Sequence, residues 1–119
     1  MVLFTSDRLS SREIIEGELI SACAVTAANI IKDLREHITN TFGGQMKQYE
    51  ALIDETIERA LVRLDEKARA KGYDGAMAVR ISHPSLVEGG VEVIVYGTAF
   101  KYVVDDTTPH LSARAPESD

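Results

Sequence analysis

Residues 43–104 read GGQMKQYEALIDETIERALVRLDEKARAKGYDGAMAVRISHPSLVEGGVEVIVYGTAFKYVV. The fold is decided here, because the hydrophobic period changes within the stretch. From Gln45 to Lys71, Tyr49, Ile53, Ile57, Ala60, Leu61, Leu64 and Ala68 fall on one helical face, with Met46 and Leu52 beside it. Glu55 with Arg59, and Asp65 with Arg69, stand four apart and suit pairing along that helix. Lys67, Arg69 and Lys71 complement the negative end of its dipole, and Gly72 suits a left-handed C-terminal cap. Asp74-Gly75 then turns the chain into a period of two. Met77, Val79 and Ile81 alternate with Ala78, Arg80 and Ser82, predicting a strand over 76–83. Pro84–Gly90 reads as a loop, and residues 91–104 as a long second strand of an antiparallel hairpin. That strand is apolar on both faces. Val91, Val93, Val95, Gly97, Ala99 and Val103 share one; Ile94, Tyr96, Phe100, Tyr102 and Val104 share the other. A layer of helices covers one face only, so the pattern predicts a chain that assembles with copies of itself.

Working outward, residues 1–12 predict a short edge strand or loose arm, with turn formers at Thr5-Ser6-Asp7 and Ser10-Ser11. Residues 13–25 predict a first strand. Its odd set, Ile15, Leu19, Cys23 and Val25 with Gly17 and Ser21, is the more apolar and is expected to face the core, with Gly17 marking a bulge. A helix is expected over 27–42, where Ile30, Leu34, Ile38 and Phe42 recur every fourth residue. Residues 13–104 thus read as a single α+β domain, in the order β-α-α-β-β. The two prolines and low apolar content of 105–119 predict a flexible C-terminal tail.

A hydrophobic share of 45% in 119 residues supports one folded core. The net charge of −6 disfavours nucleic-acid binding. A single cysteine excludes an internal disulfide and fits a reducing compartment. No apolar run approaches the ~20 residues that span a bilayer, and residues 1–12 lack the apolar segment of a signal peptide. A cytoplasmic protein is the expectation.

Several short runs, in this order and spacing, carry a resemblance. They are Ala28-Asn29-Ile30-Ile31-Lys32-Asp33, Gly43-Gly44 followed by Tyr49-Glu50, residues 68–76 (ARAKGYDGA), and Gly97-Thr98-Ala99. Together they resemble the YbjQ-like family over roughly residues 14–102. The sequence departs from that family's pattern at Glu18, Ala22, Cys23, Ala27, Gln45 and Met46. The resemblance implies a small antiparallel sheet of about three main strands, helices packed on one face, and a ring of five subunits. It also brings the family's heavy-metal-binding label, without an established function.

The chemistry-bearing residues are few. Soft metals want three or four thiolates and imidazoles per site. Cys23, His37, His83 and His110 show no CxxC, HxxxH or HExxH spacing, so a core thiol and solvated imidazoles are the favoured reading. Cys23 and His37 remain the metal candidates if subunits share a site. Cys23 also lacks a neighbouring base and reads as structural rather than nucleophilic. Gly43 and Gly44 precede a helix and could offer backbone N–H groups to an anion, although a joint between helices explains them more simply. Asn29 and Asp33 share a helix face, and Tyr49 and Glu50 follow the glycine pair; these four are ligand-binding candidates through the family motif. Arg59, Arg63, Lys67 and Lys71 form a basic stripe interleaved with Glu55, Glu58 and Glu66, which predicts a solvated face. No cofactor is predicted from the residues, and a metal ion is the one the family label implies. The expectation is a non-enzymatic homo-oligomer that binds a small ligand or ion, or acts as a scaffold. The alternatives are an intersubunit heavy-metal site and, ranked last, an enzyme with an interface active site.

Overall fold

The computed structural model describes residues 1–26, 44–84 and 90–104. In chain order these form strand β1 (Ile14–Thr26), helix α1 (Gly44–Ala70), strand β2 (Gly75–Ser82) and strand β3 (Val91–Tyr102). The three strands make one sheet in the order β1-β3-β2, with both pairings antiparallel. The central position of β3 explains its composition, since a middle strand is covered on both faces more fully than an edge strand. The helix expected over 27–42 and the tail expected over 105–119 lie outside the described residues.

Helix α1 starts and stops within one residue of the sequence expectation. Its end is a Schellman motif: Tyr73 N–H donates to the Ala68 carbonyl at 2.9 Å and Gly72 N–H to Arg69 at 3.0 Å. Gly72 sits at φ 92°, the left-handed geometry foreseen for it. Ala60, Leu64 and Ala68 are fully buried against Ile20, Ala24, Val79, Val93, Val95 and Ala99. Two alanines on the helix let it lie close to the sheet. Thr56 is buried as well; its hydroxyl donates to the Leu52 carbonyl at 2.8 Å and meets the Thr26 hydroxyl. Asp65 and Arg69 pair at 2.9 Å as expected. Arg59 turns to β1 instead of Glu55, donating to Thr26 Oγ1 at 3.0 Å.

The core face of β1 is the reverse of the sequence expectation. Ile20, Ala24 and Thr26 are buried, whereas Leu19 is 72% exposed and Ile15, Cys23 and Val25 are also exposed. Register with β3 decides this. Ala22 lies opposite Val95 and Ala24 opposite Val93, and directly opposed residues share a face. The close approach of α1 accepts alanine there, so the less apolar set goes inside. Gly17 does mark a bulge, between Glu16 and Leu19. The Tyr73 ring lies against it, and a Cβ at that position would stand 2.3 Å from Tyr73 Cε1.

The N-terminal arm is an edge strand in effect. Phe4 N–H donates to Ala76 O at 2.9 Å, Ala76 N–H to Val2 O at 3.0 Å, and Val79 N–H to Phe4 O at 2.9 Å, in a parallel arrangement. β2 is bulged between Met77 and Arg80, with Ala78 at φ 53°. The arm corrects another expectation, that the chain covers only one face of β3. Phe4 packs on Phe100 with ring centroids 6.1 Å apart, and Phe100 and Met77 are buried on the side away from α1. The cover stops there, and Tyr96 on the same face is 41% exposed.

Candidate functional site

Two features of the described residues stand out. The first is the outer face of the sheet. Leu19 lies opposite Thr98, Ser21 opposite Tyr96, and Cys23 opposite Ile94, while Arg80 and Ser82 of β2 flank Tyr96 and Ile94 from the other side. Leu19, Val25 and Tyr96 thereby form an exposed apolar surface with the Cys23 thiol in its midst. This overturns the reading of Cys23 as a core cysteine, for the reason that overturned the β1 face. The open edge of β1 is closed by helix side chains. Arg63 Nη1 donates to Cys23 O at 2.8 Å, Lys67 Nζ to Ser21 O at 2.8 Å, and Arg59 Nη2 to Val25 O at 3.3 Å. Arg63, Lys67 and Lys71 of the basic stripe are exposed as expected and Arg59 is half-buried; the first two and Arg59 donate to β1 carbonyls, and Lys71 pairs with Glu18 at 3.5 Å.

The second feature is an open cleft of about 640 Å³ between the N-terminal strand and the C-terminal end of α1. The Arg12 guanidinium lies over the Tyr102 ring, 3.7 Å from its centroid. Tyr73 and Arg69 form the helix side, and Val2 and Phe4 the strand side. Asp74 Oδ2 accepts the Tyr102 N–H at 2.7 Å, which fixes the turn after Gly72 against β3. Tyr73 Oη donates to Glu18 Oε2 at 3.3 Å, tying the cleft to β1. Asp65 Oδ1 accepts the Val2 N–H at 3.1 Å, so the Arg69 partner also anchors the strand. Sequence reasoning did not find this cleft. Asp74-Gly75 read as a turn, and Arg12 sat in an arm with no periodicity to place it.

Of the residues singled out from sequence, Glu50 is exposed on the first half of α1 and Gly44 opens that helix. Asn29, Asp33, His37, Gly43 and His110, and the side chain of Tyr49, lie outside the described residues. His83 is exposed beyond the end of β2. Among the described residues no three His, Cys, Asp or Glu side chains converge on a point that could hold a metal ion.

A three-stranded antiparallel sheet with a helix across one face defines a small α+β domain. The chain belongs to the YbjQ-like family, whose model, described as "putative heavy-metal-binding", matches residues 1–103. A UPF0145 protein of Clostridium novyi is 33% identical over 101 residues, covering 85% of this chain and 98% of its own length. A UPF0145 protein of Halobacterium salinarum is 36% identical over 100 residues, covering 83% and 96%. A crystal structure from Pediococcus pentosaceus, of a protein of unknown function in the DUF74 family, superposes with a TM-score of 0.60. It is 16% identical and covers 87% of this chain and 98% of its own, which is a likeness of fold.

Proposed function

We propose that this protein is a non-enzymatic, self-assembling subunit that binds a small ligand, with the outer face of the sheet as its contact between copies. The observation that carries the reading is the exposed apolar set Leu19, Val25 and Tyr96 on a sheet whose other face is filled by α1. Water on such a surface is released when a second apolar surface covers it. A closed ring is the assembly proposed, with five subunits as the family resemblance implies. The cytoplasm is its proposed place; no described helix is long and apolar enough to cross a membrane. Nucleic acid is not a proposed partner, because the basic stripe is engaged with the edge of β1. Light scattering at micromolar concentration tests the assembly. A multiple of the 13.1 kDa chain mass, lost in Leu19→Asp with the circular dichroism spectrum retained, supports it. A stable monomer overturns it.

A second reading, a heavy-metal site shared between subunits, draws support from the position of Cys23. The thiol lies on the outer face, where a neighbour's side chain could reach it, rather than in the core. Elemental analysis of untagged protein tests this reading. Zinc, copper or nickel near one equivalent per subunit, lost in Cys23→Ala or His37→Ala, favours the metal site over the small-ligand reading.

A further inference from the structure

We propose that the cleft at the N-terminal strand is the ligand site, and that its ligand is a small organic anion: a carboxylate carried on an aromatic or similarly flat apolar body. The inference rests on the small-ligand reading above and names the chemical class. Its basis is the pairing of charge with flat apolar surface in one place. Arg12 lies 3.7 Å over the Tyr102 ring and makes no ion pair among the described residues. Stacking fixes the plane of its guanidinium and leaves the N–H edge without a partner among the described residues, which is the geometry that grips a carboxylate through two parallel hydrogen bonds. Arg69 joins it in the cleft lining. Its Nε is committed to Asp65, and its side chain is still 55% exposed, so further N–H donors remain.

One carboxylate, Asp74, shares the lining with these two arginines, and it already accepts the Tyr102 backbone N–H. Arg69 is balanced by Asp65 at 2.9 Å and Asp74 is occupied by the Tyr102 N–H, so Arg12 is the charged cleft side chain without an ion-pair partner among the described residues. A guanidinium without an ion-pair partner favours a single anionic group over a cation. Beside the arginines lie Val2, Phe4, Tyr73 and Tyr102, which offer apolar and aromatic contact to the body of the ligand. The cavity, about 640 Å³, falls in the range of small-molecule sites. A bare inorganic anion would satisfy the arginines and leave the apolar wall wet. A neutral aromatic would do the opposite.

The test uses sodium benzoate as the probe, with acetate and benzamide as controls, followed by 1H–15N NMR on the full chain. Benzoate is expected to shift the amides of Tyr73, Asp74 and Tyr102, and to bind at least ~10-fold more tightly than either control. Arg12→Gln is expected to weaken benzoate by at least ~5-fold while the rest of the spectrum is unchanged. Equal binding of benzamide and benzoate, shifts centred elsewhere, or full affinity in Arg12→Gln overturns the proposal. Phe4→Ala, which removes the apolar wall and retains both arginines, is expected to bring benzoate down to the affinity of acetate; retained preference also overturns it. The cleft lies within one subunit, so light scattering on the same samples separates the two readings. Failure of benzoate with the oligomer intact removes the cleft proposal alone, and benzoate binding to a monomer removes the assembly alone.

Discussion

Arg63 donates from Nη1 to the carbonyl of Cys23 at 2.8 Å, across 40 residues of sequence. It is the middle rung of a ladder with Lys67 on Ser21 and Arg59 on Val25. The spacing match has a simple cause. Four residues of helix rise about 6 Å and two residues of strand rise about 6.7 Å, so every fourth helix side chain meets every second outward carbonyl. An unpaired strand edge is a template for pairing with another chain, and positive side chains blunt it. The triple variant Arg59→Gln, Arg63→Gln, Lys67→Gln is expected to keep its helix content and to aggregate at a lower temperature, with thioflavin T fluorescence. An unchanged aggregation temperature would show that the ladder does not protect the edge.

Cys23 offers a native reporter for the outer face. Its thiol is exposed beside Ile94 in the single subunit. If copies meet through this face, a thiol reagent is expected to label Cys23 quickly in dilute protein and slowly at high concentration. Labelling that is fast at every concentration would place the contact elsewhere.

Ala78 at φ 53° occupies a conformation that costs a non-glycine residue about 1–2 kcal/mol. Glycine removes that cost and adds about 0.5–1 kcal/mol of chain entropy in the unfolded state. Ala78→Gly is thus expected to stabilise by about 0.5 kcal/mol, raising Tm by ~2–4 °C in thermal denaturation. A lower Tm would mean that the alanine methyl makes contacts worth more than the backbone strain.

Gly17 lies under Tyr73 with no room for a methyl group, the ring atom Cε1 being 2.3 Å from where a Cβ would sit. Gly17→Ala is expected to cost about 1–3 kcal/mol in urea unfolding, because the ring must move off Glu18 and the cleft. In a Tyr73→Ala background the same change should cost much less, and the difference measures the contact. Equal cost in both backgrounds would locate the effect in the bulge backbone.

The hairpin of β2 and β3, the helix and its glycine cap were legible because each rests on local pattern: a period of two, a stripe at 3.6, a left-handed stop. The inner face of β1 was not legible. Leu19, Cys23 and Val25 outscore Ala22 and Ala24 in apolarity, yet pairing with Val93 and Val95 and the tight seat of Ala60 and Ala68 send the alanines inward. Register is a property of two strands together, so one strand's composition does not contain it. The cleft was hidden for the same reason. Arg12 and Tyr102 are 90 positions apart in the sequence, and the arm that joins them pairs with β2 through backbone hydrogen bonds that leave no mark on residue type.

The strand at the centre of the sheet is also the last of the three to be synthesised. Until residues 91–102 leave the ribosome, β1 and β2 have no strand between them and α1 has only part of its seat. A nascent chain halted before Val91 therefore carries two apolar strands with unmet backbone, a form suited to chaperones and prone to stick. The bond from Val103 N–H back to Glu13 O extends the β1–β3 pair past Ile14 and Tyr102, tying the start of β1 to the end of β3. Closing that loop must wait for almost the whole domain, so folding here is a late, non-local event that follows translation rather than keeping step with it.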